Sequence, residues 1–483
     1  MNRTPLIALP LALLLGACMV GPDFKTPETQ AAPTYAASGD TPLPADQQLA
    51  LGKKIEGDWW AAFRSPALDG VIKQALADNQ NIAAAKARVA AAQESVKSAG
   101  GALLPQVSVG GTMGWQKYGA ALFGPADFTI PPFVYYTVGP TVSFPLDLFG
   151  GQRRTVEEKA ALAEYRVHEL NAAYLTLSAN VTAQALASAS ASAQIAVLRG
   201  IVANDARNAE LVETAVRFGS DTRTQLLAAQ SQLASDRTLL PDVQQQESMA
   251  RHALALLVGK APADWSPPNF ALDDFTLPGE ISASLPSELV HDRPDIRAAE
   301  AQLHAASADI GVATANLYPK IDLTGTLTQQ ALTPGGLFNT VAAAWGVAGN
   351  IVQPLFNGGQ LSAERRAAID RYTEALATYR QTILTAFGQV ADRLQALAND
   401  AEEIRAQNTA AQAASASLEL ARTSFSFGNS GVLEVIDAQR RLSQAQLGYS
   451  RAKAQRLIDT AQLFLALGGT PPTATAVAQA PGR

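Results

Sequence analysis

The sequence predicts a mixed α and β chain: mostly long α-helices, with four transmembrane β-strands and an internal structural duplication. Three observations predict it. The chain is written twice, with Pro105 matched by Pro319 at a spacing of 214 and Gly219 matched by Gly428 at a spacing of 209. Each copy carries a very long run with helical periodicity. Each copy also carries a pair of charge-free segments whose residues alternate in character.

The duplication sets the order of elements. Residues 81–105 lie over 295–319 without a gap, sharing Ala84/Ala298, Ala85/Ala299, Ala91/Ala305 and Leu103/Leu317. Further on, Gly150-Gly151-Gln152 matches Gly358-Gly359-Gln360, Phe218-Gly219 matches Phe427-Gly428, and Gly259 matches Gly468. Copies of about 200 residues are far longer than solenoid units, so this is one duplicated architecture. The expected division is a signal peptide over 1–17, an N-terminal segment over 18–65 and a first repeat over 66–259. A crossover linker over 260–291, a second repeat over 292–468 and a flexible tail over 469–483 complete it. Within the first repeat a helix is followed by a β-hairpin at about 105–148, a long helix at about 152–217 and a helix at about 222–258. The second repeats this with a hairpin at about 320–357, a long helix at about 360–426 and a helix at about 432–467.

The long helices follow from periodicity. Between residues 151 and 218 there is no proline, while Leu170, Leu177, Leu198 and Val212 keep a seven-residue register. In the second copy Leu376, Tyr379, Ile383, Ala386, Val390, Leu394, Leu397, Ala401 and Ile404 follow one another at steps of three and four. A cytosolic coiled coil would carry denser flanking charge; here 170–198 has none and is rich in Ala and Ser, suiting helices packed on more than one side. Pro241 should kink the second helix of the first copy.

The strands follow from alternation and missing charge. Val107, Val109, Gly111, Met113 and Trp115 alternate with Gln106, Ser108, Gly110, Thr112 and Gly114, and Ile321, Leu323, Gly325 and Leu327 alternate with Asp322, Thr324, Thr326 and Thr328. About ten residues with a period of two is the size of a transmembrane strand. Soluble hairpins alternate too, but no charged residue occurs between 97 and 117, between 127 and 147, or between 322 and 364. Trp115, Tyr135, Tyr136 and Trp345 supply interfacial aromatics. Four strands cannot close a barrel, and an open edge cannot exist in lipid, so several chains must share one wall.

Composition excludes other classes. A net charge of −6 argues against nucleic acid as a partner. One cysteine excludes an internal disulfide framework, and His168, His252, His291 and His304 have no metal-ligand spacing, so neither a metal nor any other cofactor is expected. Only 17% of residues are charged, against a typical figure of about 25%. There is no nucleophile elbow, phosphate loop or paired catalytic carboxylate, so no enzyme is expected and no catalytic residue is assigned.

The start reads as an export signal: Arg3, an apolar run over 6–15, then Leu15-Gly16-Ala17-Cys18. That tetrapeptide resembles the bacterial lipobox, making Cys18 the expected lipidation site and outer-membrane lipid an expected partner. Met19 follows it rather than Asp, so no inner-membrane retention signal of the enteric type is present.

Several motifs together carry a family resemblance. They are Cys18-Met19-Val20-Gly21-Pro22-Asp23-Phe24 with Pro27, Trp59-Trp60 before Phe63 and Leu68, Arg293-Pro294-Asp295-Ile296 with Glu300 and Leu303, and Asp437-Ala438-Gln439. With them the chain resembles the TolC/OprM superfamily of outer-membrane efflux factors, in particular the NodT-type lipoproteins of Gram-negative bacteria. The resemblance implies a homotrimer with a shared twelve-stranded β-barrel and a periplasmic α-barrel. It implies docking onto a periplasmic adaptor (membrane fusion) protein and an inner-membrane pump of the resistance-nodulation-division type. The chain would be the exit duct of a tripartite efflux pump, conducting small molecules passively. The alternatives are the exit duct of a type I protein secretion system and a structural coiled-coil envelope lipoprotein.

The two Gly turns are then the expected tunnel tip, with Phe218, Gly219, Phe427 and Gly428 as the adaptor-docking turns. Relatives often constrict the pore with an aspartate on the second-copy turn; here that place falls on Ser430, while Asp221 occupies the equivalent place in the first copy. Asp221 is the candidate acidic tip residue, its competing role being a helix cap. Arg217, Arg223, Arg422, Glu434 and Asp437 lie within a turn or two and are candidates for ion pairs that hold the closed state, the plain alternative being a solvated helix surface.

Overall fold

A computed structural model describes residues 19–28, 34–35, 39–53, 55, 57–118 and 131–469. The expected signal peptide, Cys18 and the tail from 470 lie outside the described residues. The described chain divides into two compact units. One is drawn from the residues up to Glu28, Val89–Arg166 and Ala299–Tyr379; the other comprises the rest.

The first unit holds a four-stranded antiparallel sheet: β2 (Gln106–Gln116), β3 (Phe133–Leu146), β5 (Lys320–Ala331) and β6 (Ala343–Val352), following β1 (Gln48–Leu51) and β4 (Glu280–Ala283) of the other unit. The sheet order is β2-β3-β5-β6. The register sorts side chains by chemistry. Val107 faces Val142, Trp115 faces Val134, Phe144 faces Leu323, Ile321 faces Ile351 and Leu327 faces Trp345. On the opposite face Thr112 stands beside Thr137, and Thr141 beside Ser108 and Thr326. Because the side-chain period is two, this register puts the apolar residues of all four strands on one surface.

Helices lead into and out of the hairpins. α1 (Pro66–Asp78) and α2 (Gln80–Gly101) precede β2; α5 (Pro286–Asp292) and α6 (Pro294–Ala315) precede β5. After each hairpin comes a 67-residue helix, α3 (Gly151–Arg217) or α7 (Gln360–Ser426), then a 36-residue helix, α4 (Arg223–Val258) or α8 (Val432–Leu467). At 1.5 Å per residue, each long helix runs about 100 Å. α4 continues through Pro241, where no backbone N–H is present to bond the carbonyl of Arg237.

The second unit is organised around a buried aromatic cluster. Trp59, Trp60 and Phe63 are almost wholly buried, and Trp59 stacks on Phe464 at 5.4 Å between centroids. The indole of Trp59 donates to Ser178 Oγ (3.3 Å) and that of Trp60 to Asp69 Oδ1 (3.1 Å), so neither ring leaves a polar atom stranded. The crossover contains more regular structure than an extended linker: a 3-10 turn at Leu272–Asp274, strand β4, and α5. β4 pairs in parallel with β1 of the N-terminal segment, Leu49 beside Ile281. Arg293, between α5 and α6, is buried, with its guanidinium on Asp295 and Gln389 and on the carbonyl of Ala466.

Candidate functional site

Two places carry the chemistry: the sheet of the first unit and the helix turns of the second. Among the described residues, the apolar face of the sheet has no core beneath it. Val109, Trp115, Trp345 and Val347 are each between 75 and 79% exposed, although Val and Trp normally seek burial. Among the described residues β2 and β6 pair on one side only, leaving two open edges. The strands run from 10 to 14 residues. An exposed apolar band of that length with polar residues behind it is the outer surface of a membrane barrel wall.

Both helix turns are built alike. α3 ends in a Schellman motif, with Ser220 N donating to Ala215 O (2.9 Å) and Gly219 N to Val216 O (3.1 Å). At the second turn Asn429 N donates to Ser424 O (2.9 Å) and Gly428 N to Phe425 O (3.0 Å). The motif needs a left-handed residue, and Gly219 (φ +74°) and Gly428 (φ +75°) provide it. Phe218 and Phe427 precede them at 80 and 76% exposure.

The two turns differ in how the next helix starts. Thr222, not Asp221, is the N-cap of α4: its hydroxyl accepts from Gln225 N (3.3 Å), and Gln225 Oε1 accepts from Thr222 N (3.0 Å). The capping box is legible in the sequence as Thr222-Arg223-Thr224-Gln225. Asp221 only steadies the turn, accepting from Thr222 N at 2.8 Å. α8 has Gly431 as its N-cap, which offers no side-chain cap. Beside it Ser430 Oγ is sheltered and has no hydrogen-bond partner among the described residues.

The charged candidates pair locally. Arg217 reaches Glu213 at 4.0 Å on its own helix, and Asp437 binds Arg440 (2.5 Å) and Arg441 (2.6 Å) on α8. Arg422 donates to Gln439 Oε1 at 3.0 Å, joining α7 to α8. Arg223 and Glu434 are exposed, with no ion-pair partner among the described residues. Asp437 and Arg440 also line a groove of about 190 Å³ together with Ala228, Ala229, Gln232, Leu433 and Ile436, between α4 and α8.

One constellation in the first unit was not anticipated from sequence. Arg154, 1% exposed, donates to the carbonyl of Val20 and to Asp23 Oδ1 (2.7 Å) and Glu157 Oε2 (2.7 Å). Phe24 stacks on His304 at 4.4 Å, and His304 Nε2 donates to Glu157 Oε1 at 3.0 Å. Burial alone would raise the Glu157 carboxyl; the bonds from Arg154 and His304 outweigh it and hold it below its ordinary value. Gly21 lies on Gly311 so closely that a Cβ would stand 2.5 Å from the Gly311 Cα. The residues following Cys18 are thus strapped to α3 and α6.

The model of the outer membrane efflux protein family matches residues 71–260 and again 285–469. The chain belongs to the outer membrane efflux protein family. It is 32% identical over 452 residues to the pyoverdine export outer membrane protein OpmQ of Pseudomonas aeruginosa, covering 90% of this chain and 94% of that one. It is 28% identical to nodulation protein T of Rhizobium leguminosarum bv. viciae, covering 97% and 94%. Among solved structures, the outer-membrane channel OprN superposes with a TM-score of 0.85 at 27% identity, covering 94% of this chain and 99% of that one. This efflux protein is an outer-membrane channel of the TolC/OprM type, with the mixed helical and strand fold of that group. Its family members are transport proteins.

Proposed function

We propose that this efflux protein is the trimeric exit duct of a tripartite pump, passing small molecules to the exterior without chemistry of its own. The observation that carries the reading is the four-stranded sheet with an uncovered apolar face and two open edges. Lipid tolerates no open edge, so β2 of one copy must meet β6 of the next. Three copies make twelve strands, a size within the range of such barrels.

The tip turns are the second part of the reading. Phe218 and Phe427 beside their left-handed glycines offer apolar knobs for a periplasmic adaptor, and the groove between α4 and α8 offers it a seat. Threefold symmetry turns Asp221 and Ser430 into rings, of which the Asp221 ring carries the charge that selects ions. Arg217, Arg223, Arg422, Glu434 and Asp437 surround the same turns, as partners for ion pairs between copies in the closed state. Lipidation of Cys18, two residues before Val20, would place the acyl chains at the start of the strap held by Arg154. An inner-membrane pump of the resistance-nodulation-division type supplies the energy.

In-cell crosslinking of a tagged chain in its native host, with mass spectrometry of the captured partners, tests this. An adaptor with a drug-type pump is the expected catch. An ATP-driven exporter of polypeptides would move the assignment to secretion, and peptidoglycan-associated proteins alone would make the chain a structural lipoprotein.

A further inference from the structure

The hairpin of α3 and α4 is held by an apolar seam. Ile201, Ala209 and Val212 fill it from α3, and Ala229 and Val243 from α4, with Leu233 and Leu240 partly buried beside them. The steps of three and four that define this seam pass through position 205 on α3 and position 236 on α4, and both are aspartate. Asp205 stands 15 residues before Ser220 and Asp236 stands 16 after it. Residues equidistant from the turn of an antiparallel helix pair lie opposite one another, so an acid faces an acid inside the seam.

The geometry of the pair is unusual for carboxylates. Asp205 is 7% exposed, and its Oδ2 is buried without a donor. What faces it is the carboxyl of Asp236, itself an acceptor, whose Oδ2 already takes the Gln232 amide at 2.9 Å. Only a proton held between the two can make that contact a hydrogen bond. No cation neutralises them: Arg207 and Arg237 on the same helices are exposed and make no ion pair with either acid among the described residues. From α8, Arg440 and Asp437 line the groove that holds Gln232, but they are bound to each other, and Arg441 is also bound to Asp437.

We propose that Asp205 and Asp236 share one proton across the seam and act as a pH-sensitive latch on the tip half of the α3–α4 hairpin. With the proton present the seam is closed by a hydrogen bond. With both acids ionised, two like charges sit in an apolar layer and push the helices apart. Burial first, then the hydrogen bond and charge of Asp236, push Asp205 up to about 7 from an ordinary 3.8. A carboxyl raised on folding keeps its proton in the folded state, so the latch is strongest below the ordinary carboxylate value. It weakens as pH rises towards about 7 and is constant above. The latch concerns the hairpin alone and stands whatever passes through the channel.

Amide hydrogen exchange of the full-length protein in detergent, at about pH 5 and about pH 8, reads the latch directly once intrinsic rates are corrected. The expected result is that amides over 199–242 lose roughly tenfold or more of their protection at the higher pH. In Asp205→Asn, which is isosteric and carries its own donor, protection is equal at both pH values; in Asp236→Asn, where burial still raises Asp205 but the facing acid is gone, the loss at the higher pH is smaller than in the wild type. A substitution that merely weakened the helix would lower protection at both. If one variant does not assemble, the other reads the same pair. Unchanged protection in the wild type, a pH response that survives in Asp205→Asn, or an undiminished response in Asp236→Asn overturns the proposal.

Discussion

At the scale of single residues, the two helix turns show how small differences divide labour between copies. Both glycines take the same left-handed backbone, yet only the first turn has a side-chain cap, through Thr222 and Gln225. That frees Asp221 from capping and leaves its charge at the turn. Asp221→Asn is expected to reduce cation over anion selectivity in planar-bilayer recordings without lowering trimer yield, because carboxylate rings set ion preference. A second residue-scale prediction concerns Asp400 on α7. Burial, then the charge and hydrogen bond of Asp459, push Asp400 up to about 7. A raised carboxyl pKa means stability that is full below about 3.8 and declines towards about pH 7. Asp400→Asn should therefore gain thermal stability over wild type near pH 8 and show little difference near pH 4, as read from melting temperatures across that range.

Helices and strands were legible to different degrees. The hairpin strands announced themselves because alternation and absence of charge coincide over whole segments, as in 106–116 and 320–331. The long helices did so because three-four spacing persists for many turns. What escaped was short or tertiary in origin. The parallel pair of β1 and β4 is four residues a strand, Gln48–Leu51 against Glu280–Ala283, too short for any period to register. Arg154 reads as one of two surface arginines until the chain after Cys18 folds over it. Asp205 and Asp236 stand on the apolar register as acids, where a polar residue breaks the pattern without ending the helix. The sheet itself makes a sharp prediction. Val347→Arg, on the apolar face near the middle of β6, should cost about 2–4 kcal/mol and abolish heat-modifiable trimers on gels. Thr326→Arg, on the opposite face of β5, should leave assembly intact and alter conductance.

For the whole molecule, duplication solves a problem that one chain cannot. Each copy supplies one hairpin, and the two hairpins join through β3 and β5 into a sheet that still has two free edges. In water such edges invite aggregation, and in lipid they leave backbone groups unpaired at several kcal/mol each. The sheet is therefore complete only in an assembly of several chains. Native mass spectrometry of the protein extracted from outer membranes tests this account most directly. Three chains in one heat-modifiable assembly is the predicted result; a folded, membrane-inserted single chain, or a stable dimer, would contradict it.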